Sequence, residues 1–278
     1  MTFQMPAEAG LTGLALRVHD RAAALRFYRD VLGLQVEAQD DALRLRPEGG
    51  ALSLALEVDP EAPRRPPRSV GLYHFALLLP DRPALAAILR RLQEAGWPLD
   101  GAGDHGVSEA LYLRDPEGNG IELARDRPRG EWPRAREGVA MVTEPVDIKG
   151  LLATAPAAAP LHPATILGHM HLSVHDLEVG ETFYAGALGL NVTQRSYPGA
   201  FFLAAGDYHH HLGLNTWGSR RPAPPGATGL LRYGWRIPAA ALPALEQHLT
   251  ARGVPFAKAD GALSVTDPFG IAVDLAGE

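Results

Sequence analysis

The segment "HDRAAALRFYRDVLGLQV" (His19 to Val36) recurs as "HDLEVGETFYAGALGLNV" (His175 to Val192), with 8 of 18 positions identical. A repeat of this kind restricts the fold strongly, because each copy must build the same local structure. The shared positions have physical meaning. Asp20 and Asp176 stand where an N-cap side chain accepts from the first helical turn. Phe27 and Leu32, like Phe183 and Leu188, mark one apolar helix face. Gly33 and Gly189 follow at the C′ position, where a left-handed backbone is easiest for glycine. Apolar runs before the helices ("LALRV", "MHLSV") and after them ("ALRLR", "ALSLALEV"; "AFFLAA", "HHHLGLN") predict strands.

A second pair recurs. "YLRDPEGNGIEL" (Tyr112 to Leu123) matches "SVTDPFGIAVDL" (Ser264 to Leu275). Each reads as strand, Asp-Pro and Gly turn, strand. The segments "PALAAILRRLQEAGW" and "ALPALEQHLTARGV" supply the preceding helices. The chain therefore divides into four β-α-β-β-β modules, starting near Leu11, Val70, Thr165 and Gly229, and its class is α+β. The expected organisation is an N-terminal domain over 1–130, a Pro- and Ala-containing linker over 131–163, and a C-terminal domain over 164–278, with two modules in each domain. The linker stretch "GVAMVTEPVDIKGLL" is expected to pack on the body. A length of 278 residues suits two such domains.

Composition removes several chemistries. The chain has no cysteine, which excludes thiolate catalysis, iron–sulfur clusters, cysteine zinc sites and disulfides. Any metal must be held by His, Asp or Glu. The net charge is −6 and no basic cluster tracks a phosphate backbone, so nucleic acid is not an expected partner. "MTFQMPAEAG" lacks the basic and apolar regions of a signal peptide, and runs such as "FALLLP" are too short to span a bilayer. The expectation is a cytoplasmic protein without a membrane partner.

The four modules resemble the vicinal oxygen chelate superfamily, which includes glyoxalase I, methylmalonyl-CoA epimerase, bleomycin-resistance proteins and type I extradiol dioxygenases. The resemblance covers nearly the whole chain and is strongest in modules two and three. It implies two cup-shaped mixed sheets, and a divalent metal held by residues of a first and a last strand. Aligned from the helix caps, the first-strand ligand position holds Gly13, His74, His169 and Arg232 in modules one to four. The last-strand position holds Glu122 in module two and Asp274 in module four. No two modules of one half supply a full ligand set. Modules two and three together supply His74, Glu122 and His169. Module two is therefore expected to pair with module three, within one chain or between chains of a homo-oligomer. Modules one and four are left to form a metal-free cup.

Two His and one carboxylate leave open positions for a bidentate substrate and for O2, and the set suits Fe(II), with Mn(II) fitting the same ligands. The blocks "YHFALLLPDR", "VSEALYLRDPEGNGIEL", "GHMHLSVHDL" and "YHHHLGLNTW" resemble bacterial catechol 2,3-dioxygenase-like proteins. The resemblance implies O2-dependent extradiol cleavage of a small aromatic diol. It casts His210, in the run His209–His210–His211, as an acid–base residue over the metal, a role that suits imidazole. If the run is a strand, His209 and His211 face away from His210. Tyr112, ten residues before Glu122, is cast as a catalytic hydroxyl. His105, two residues out of register, is cast as substrate-binding. His171 shares the face of His169 and is expected close behind the ligands. His19, His162, His175 and His248 receive no chemistry. Two alternatives stand beside this reading. One is a metal-dependent lyase or isomerase of the glyoxalase type, which a fourth ligand such as His211 or Glu109 would favour. The other is a non-catalytic small-molecule-binding resistance protein.

Overall fold

The computed structural model describes residues 3–39, 42–134, 139–140, 142–155, 157–218 and 221–278. Residues 135–138, 141 and 156 of the expected linker, with Met1, Thr2, Asp40, Asp41, Ser219 and Arg220, lie outside them. Module one contributes β1 (Gly10–Val18), β2 (Gln35–Gln39), β3 (Ala42–Arg46) and β4 (Ser53–Val58). Module two contributes β5 (Gly71–Leu79), β6 (Gly101–Asp104), β7 (Ser108–Arg114) and β8 (Gly120–Asp126). Module three contributes β9 (Ile166–Ser173), β10 (Asn191–Gln194), β11 (Ala200–Ala204) and β12 (Leu212–Asn215). Module four contributes β13 (Gly229–Ile237), β14 (Phe256–Ala259), β15 (Ala262–Thr266) and β16 (Ala272–Gly277).

These strands form two eight-stranded sheets. One runs β14-β15-β16-β13-β1-β4-β3-β2, and the other runs β10-β11-β12-β9-β5-β8-β7-β6. Each sheet thus takes one module from each half of the chain. Module two joins module three through the antiparallel pair β5/β9, and module one joins module four through β1/β13. Within a module the first and last strands are parallel and the others antiparallel, so both sheets are mixed.

The repeated helices follow their caps. Asp20 accepts from the Ala23 N–H ahead of α1 (Arg21–Leu25), and Asp81 accepts from Ala84 ahead of α2 (Arg82–Glu94). Between β8 and β9, α3 (Ile148–Leu152) packs on α2. In module three, Asp176 accepts from Glu178 and Val179 ahead of α4 (Leu177–Glu181). Helix α5 (Leu242–Ala251) serves module four. Both α1 and α4 widen into a π-turn, over Arg26–Val31 and Thr182–Ala187. Each π-turn carries the repeated Phe-Tyr pair into the core. The tyrosines then tie the modules of each half together. Tyr28 donates to Asp115 Oδ2 at 2.8 Å, and Tyr184 donates to Asp267 Oδ2 at 2.5 Å. Both acceptors belong to the repeated Asp-Pro turns. Asp115 is buried and also accepts from Asn119 and Glu117.

The described part of the linker lies on module two. Arg90 on α2 donates to the carbonyls of Ala155 and Leu152, and Arg82 donates to that of Gly150. Backbone bonds between Asp104 and Glu144 lay the linker along the edge of β6. No helix among the described residues is long and apolar enough to cross a membrane.

Candidate active site

The junction of β5 and β9 builds the site row by row. In one row Tyr112 of β7, Glu122 of β8, Ala76 of β5 and His169 of β9 lie side by side. In the next row lie Gly120, His74, His171 and Gly213. Residues two apart on a strand share a face, so both rows look into the same cup. Irregularities between Leu72/His74 and between Ala76/Leu77 interrupt the β5/β9 ladder around these residues. Bulges of this kind re-aim side chains next to functional sites. The second row is flanked by two glycines. A Cβ at Gly120 would lie 2.9 Å from His74 Cβ, and one at Gly213 would lie 2.1 Å from His171 Nε2.

Three buried ligand atoms converge. His74 Nε2 and His169 Nε2 each lie 3.1 Å from Glu122 Oε2. All three donor atoms fall within 4.8 Å of one another. Ligand atoms about 2.1 Å from a shared ion and at right angles to each other are about 3 Å apart, so this spacing fits a divalent cation. His74 Nε2 is misdirected for a hydrogen bond and is buried without a partner. A protein nitrogen left in that state points to a missing ligand. The protonation states agree. Burial pushes the Glu122 carboxyl up, but the His169 and His74 imidazoles outweigh it and hold the group well below the usual carboxylate range. Burial lowers His74 and lowers His171 further, which favours the neutral ring in both. Neutral imidazole and ionised carboxylate are the forms that bind metal.

The triad borders a cavity of about 350 Å³. Tyr73, Tyr197, Phe202 and Trp217 line one side of it, and Tyr112 and His105 another. Linker residues Val142 and Thr143 also reach the lining. Tyr112 is raised above the usual phenol range by burial and by Glu122, so its hydroxyl keeps its proton. His105 Nε2 lies 2.7 Å from that hydroxyl, and its Nδ1 lies 2.8 Å from the Val142 carbonyl. The carbonyl only accepts, which places the His105 proton on Nδ1 and leaves Nε2 to accept from Tyr112.

The histidine run differs from a strand. Strand β12 begins only at Leu212, and His209 to His211 occupy the bend that follows Gly206, whose φ is +63°. Alternation therefore does not apply. His209 and His210 are both buried and their Nδ1 atoms lie 2.8 Å apart. His210 borders the cavity, with its ring centroid 4.2 Å from that of His169. Its pKa is pushed well below the ordinary value by burial and then by His169. His209 is not among the residues that line the cavity. Its Nε2 meets Asp126 Oδ1 at 3.2 Å. His211 packs on Tyr208 and Trp235, accepts from the Ala205 N–H, and is lowered to about 3 by burial.

The fourth-ligand candidates lie elsewhere. Glu109 is buried against Arg82 and Arg125 at 2.9 and 2.6 Å. His171 is close to the triad, stacked on His74 at 4.6 Å and 20°. Its place was readable from its position two residues after His169. Asp126 was missed, although it lies four residues after Glu122 on the same strand face.

A cup of paired modules around two imidazoles and one carboxylate defines the class. The model of the Glyoxalase/Bleomycin resistance protein/Dioxygenase superfamily matches residues 10–123 and 166–275, and the chain belongs to that superfamily. It is 47% identical over 238 residues to Catechol-2,3-dioxygenase of Bacillus subtilis (strain 168), covering 82% of each chain. It is 32% identical over 129 residues to Biphenyl-2,3-diol 1,2-dioxygenase 3 of Rhodococcus globerulus, covering 42% of this chain and 63% of that one. Among solved structures, glyoxalase I from Zea mays superposes with a TM-score of 0.59 at 17% identity, over 97% of this chain and 92% of that one. At that identity the likeness concerns the fold alone.

Proposed function

We propose that this chain is a metal-dependent extradiol dioxygenase that opens the ring of a small aromatic diol with O2. The observation that carries the reading is the buried His74–Glu122–His169 set beside an aromatic-lined cavity, in a chain nearly half identical to a catechol dioxygenase. These three residues would hold Fe(II), and Mn(II) suits the same donors. When bound, the metal supplies open positions for two diol oxygens and O2, and a path for electrons between them.

The chain's own groups do the rest. Only one of the three ligands is anionic, so the site keeps net positive charge and favours a deprotonated diol. His210 accepts a phenolic proton at Nε2 and returns it later in the reaction. Tyr112 orients substrate oxygen, and His105 holds the Tyr112 hydroxyl in place. Tyr73, Tyr197, Phe202 and Trp217 shield the ring from water.

The test is anaerobic purification, loading with Fe(II), and addition of a panel of catechols with O2. A yellow ring-fission product with matching O2 uptake is expected. Iron bound without turnover across the panel overturns the reading. Glu122→Ala is expected to abolish metal binding. His210→Phe is expected to retain the metal and slow turnover by roughly 100-fold, the lower range for a general acid–base residue. Metal loss in His210→Phe would make that residue a ligand instead.

A further inference from the structure

Asp126 ends β8 and is not needed to hold the triad. Its Oδ1 lies 3.2 Å from His209 Nε2, and its Oδ2 accepts the Tyr208 hydroxyl at 2.7 Å. His209 is 2% exposed and is walled by Tyr208 and Trp132, with ring centroids at 4.0 and 5.1 Å. On its other side, His209 Nδ1 meets His210 Nδ1 at 2.8 Å. The far nitrogen of His210, Nε2, is buried with no protein partner, in a residue that borders the cavity. Three side chains from two modules thus form one line, from a partly exposed carboxylate to the metal-facing cup.

We propose that Asp126 and His209 act as a relay that fixes the ring tautomer of His210, so that its Nε2 meets the substrate as an unprotonated base. With both rings neutral, the form that burial favours, the donor inventory requires this order. A carboxylate oxygen only accepts, so the hydrogen on that bond belongs to His209 Nε2. A neutral His209 then has only a lone pair at Nδ1. Two nitrogens at 2.8 Å must share a hydrogen, and it comes from His210 Nδ1. A neutral His210 with its proton on Nδ1 has none on Nε2. The opposite tautomer would point an N–H at the phenol and could not take its proton. When the diol binds, a phenolic O–H bond breaks and an N–H bond forms at His210 Nε2. The resulting imidazolium still donates to His209, whose dipole is anchored by the negative Asp126. A carboxylate orienting an imidazole in this way follows the logic of nucleophile–base–orienter triads, extended here by one ring. Asp126 and His209 are positioning residues, and His210 is the group that touches substrate. What the base does rests on the dioxygenase reading. The tautomer itself does not.

The experiment is long-range ¹H–¹⁵N NMR on the ¹⁵N-histidine-labelled protein loaded with zinc as a diamagnetic probe. His210 is expected to show a protonated Nδ1 and a bare Nε2. Asp126→Leu and His209→Phe are expected to shift His210 toward the Nε2–H form, with zinc affinity unchanged. Tyr208→Phe, which leaves the Asp126–His209 bond in place, is expected to keep the native signature. With iron, Asp126→Leu is expected to lower kcat by at least about tenfold with KM within about twofold. A wild-type spectrum with the proton on Nε2 overturns the proposal, whether or not any variant folds. So does a native His210 signature in both relay variants. If the tautomer is as stated but His210→Phe and Asp126→Leu turn over normally, the relay stands and the acid–base role assigned to His210 falls.

Discussion

Gly213 offers a direct test of how the ligand row is packed. Strand β12 runs beside β9, which puts Gly213 next to His171. A methyl group at 213 would lie 2.1 Å from His171 Nε2, 2.4 Å from Cε1 and 2.5 Å from Cδ2. To reach even a 3.0 Å contact the ring must retreat by about 0.9 Å. Three rings limit that movement on the sides away from the cavity, which His171 also borders. His74 stacks on it at 4.6 Å, and Phe202 and His210 each lie 5.3 Å away. The backbone of Gly213 is not left-handed, so alanine itself is tolerated there. The whole cost therefore comes from displacing the ring. Forcing an extra methyl into a packed interior costs about 1–3 kcal/mol. In a chain of this size that lowers Tm by a few degrees. Because His171 leans on His74, zinc affinity should also fall, by about 10- to 100-fold, as when a group supporting a ligand is lost. The assay is a thermal melt and a zinc titration for Gly213→Ala, His171→Ala and the double variant. With the ring gone, the new methyl has room. The double variant should then be more stable than the sum of the single losses implies, by about 1–2 kcal/mol. A wild-type Tm for Gly213→Ala, or strict additivity in the double variant, would refute the packing argument.

Other perturbations read other parts of the fold. Tyr28→Phe leaves buried Asp115 without one of its donors while Asn119 and Glu117 remain, so a loss near 1 kcal/mol is expected in urea unfolding, at the low end for a stranded partner. Glu109 is raised by burial but lowered further by Arg82 and Arg125, which leaves it below its ordinary value of 4.5. Its stabilisation is thus present above about pH 4.5 and is lost as the pH falls through its lower folded value. Glu109→Gln should melt below wild type near neutrality, with the gap closing under acid. A gap independent of pH would show that the charge is not what matters.

Much of this was written in short-range patterns. Asp20 and Asp176 announce helix starts because one short side chain satisfies free N–H groups. The candidate ligand set was readable because His74 and His169 occupy one position of a repeat, and the pairing of their modules followed from the lack of a complete set within either half. The histidine run was less legible. Three apolar residues after it suggested that the strand began earlier, and nothing local shows that Gly206 turns the chain through to His211. The Asp126–His209 contact was hidden for a different reason. It joins residues 83 apart, one on β8 and one in the bend before β12, brought together across the β5/β9 junction. The π-turns were also invisible, since Phe27-Tyr28 and Phe183-Tyr184 fit a regular helix equally well until the aspartates they reach are known.

On the same ladder, the second sheet carries no His–Glu–His set among the described residues. Its matching row runs Ser264, Asp274, Gly234 and Gly13, in place of Tyr112, Glu122, Ala76 and His169. Its other row has Arg232 beside Ala15, in place of His74 and His171. The carboxylate survives but is bonded by Ser264 at 2.6 Å, and Arg232 turns toward Glu57 at 3.6 Å. Where His169 has its side chain, a Cβ at Gly13 would sit 2.1 Å from the Ser53 carbonyl oxygen. The neighbouring strand has closed over the ligand position, so a side chain cannot simply be restored there. Backbone pairing is common to both sheets and does not distinguish them. The candidate site belongs to the one in which glycines stand beside the imidazoles rather than in their place.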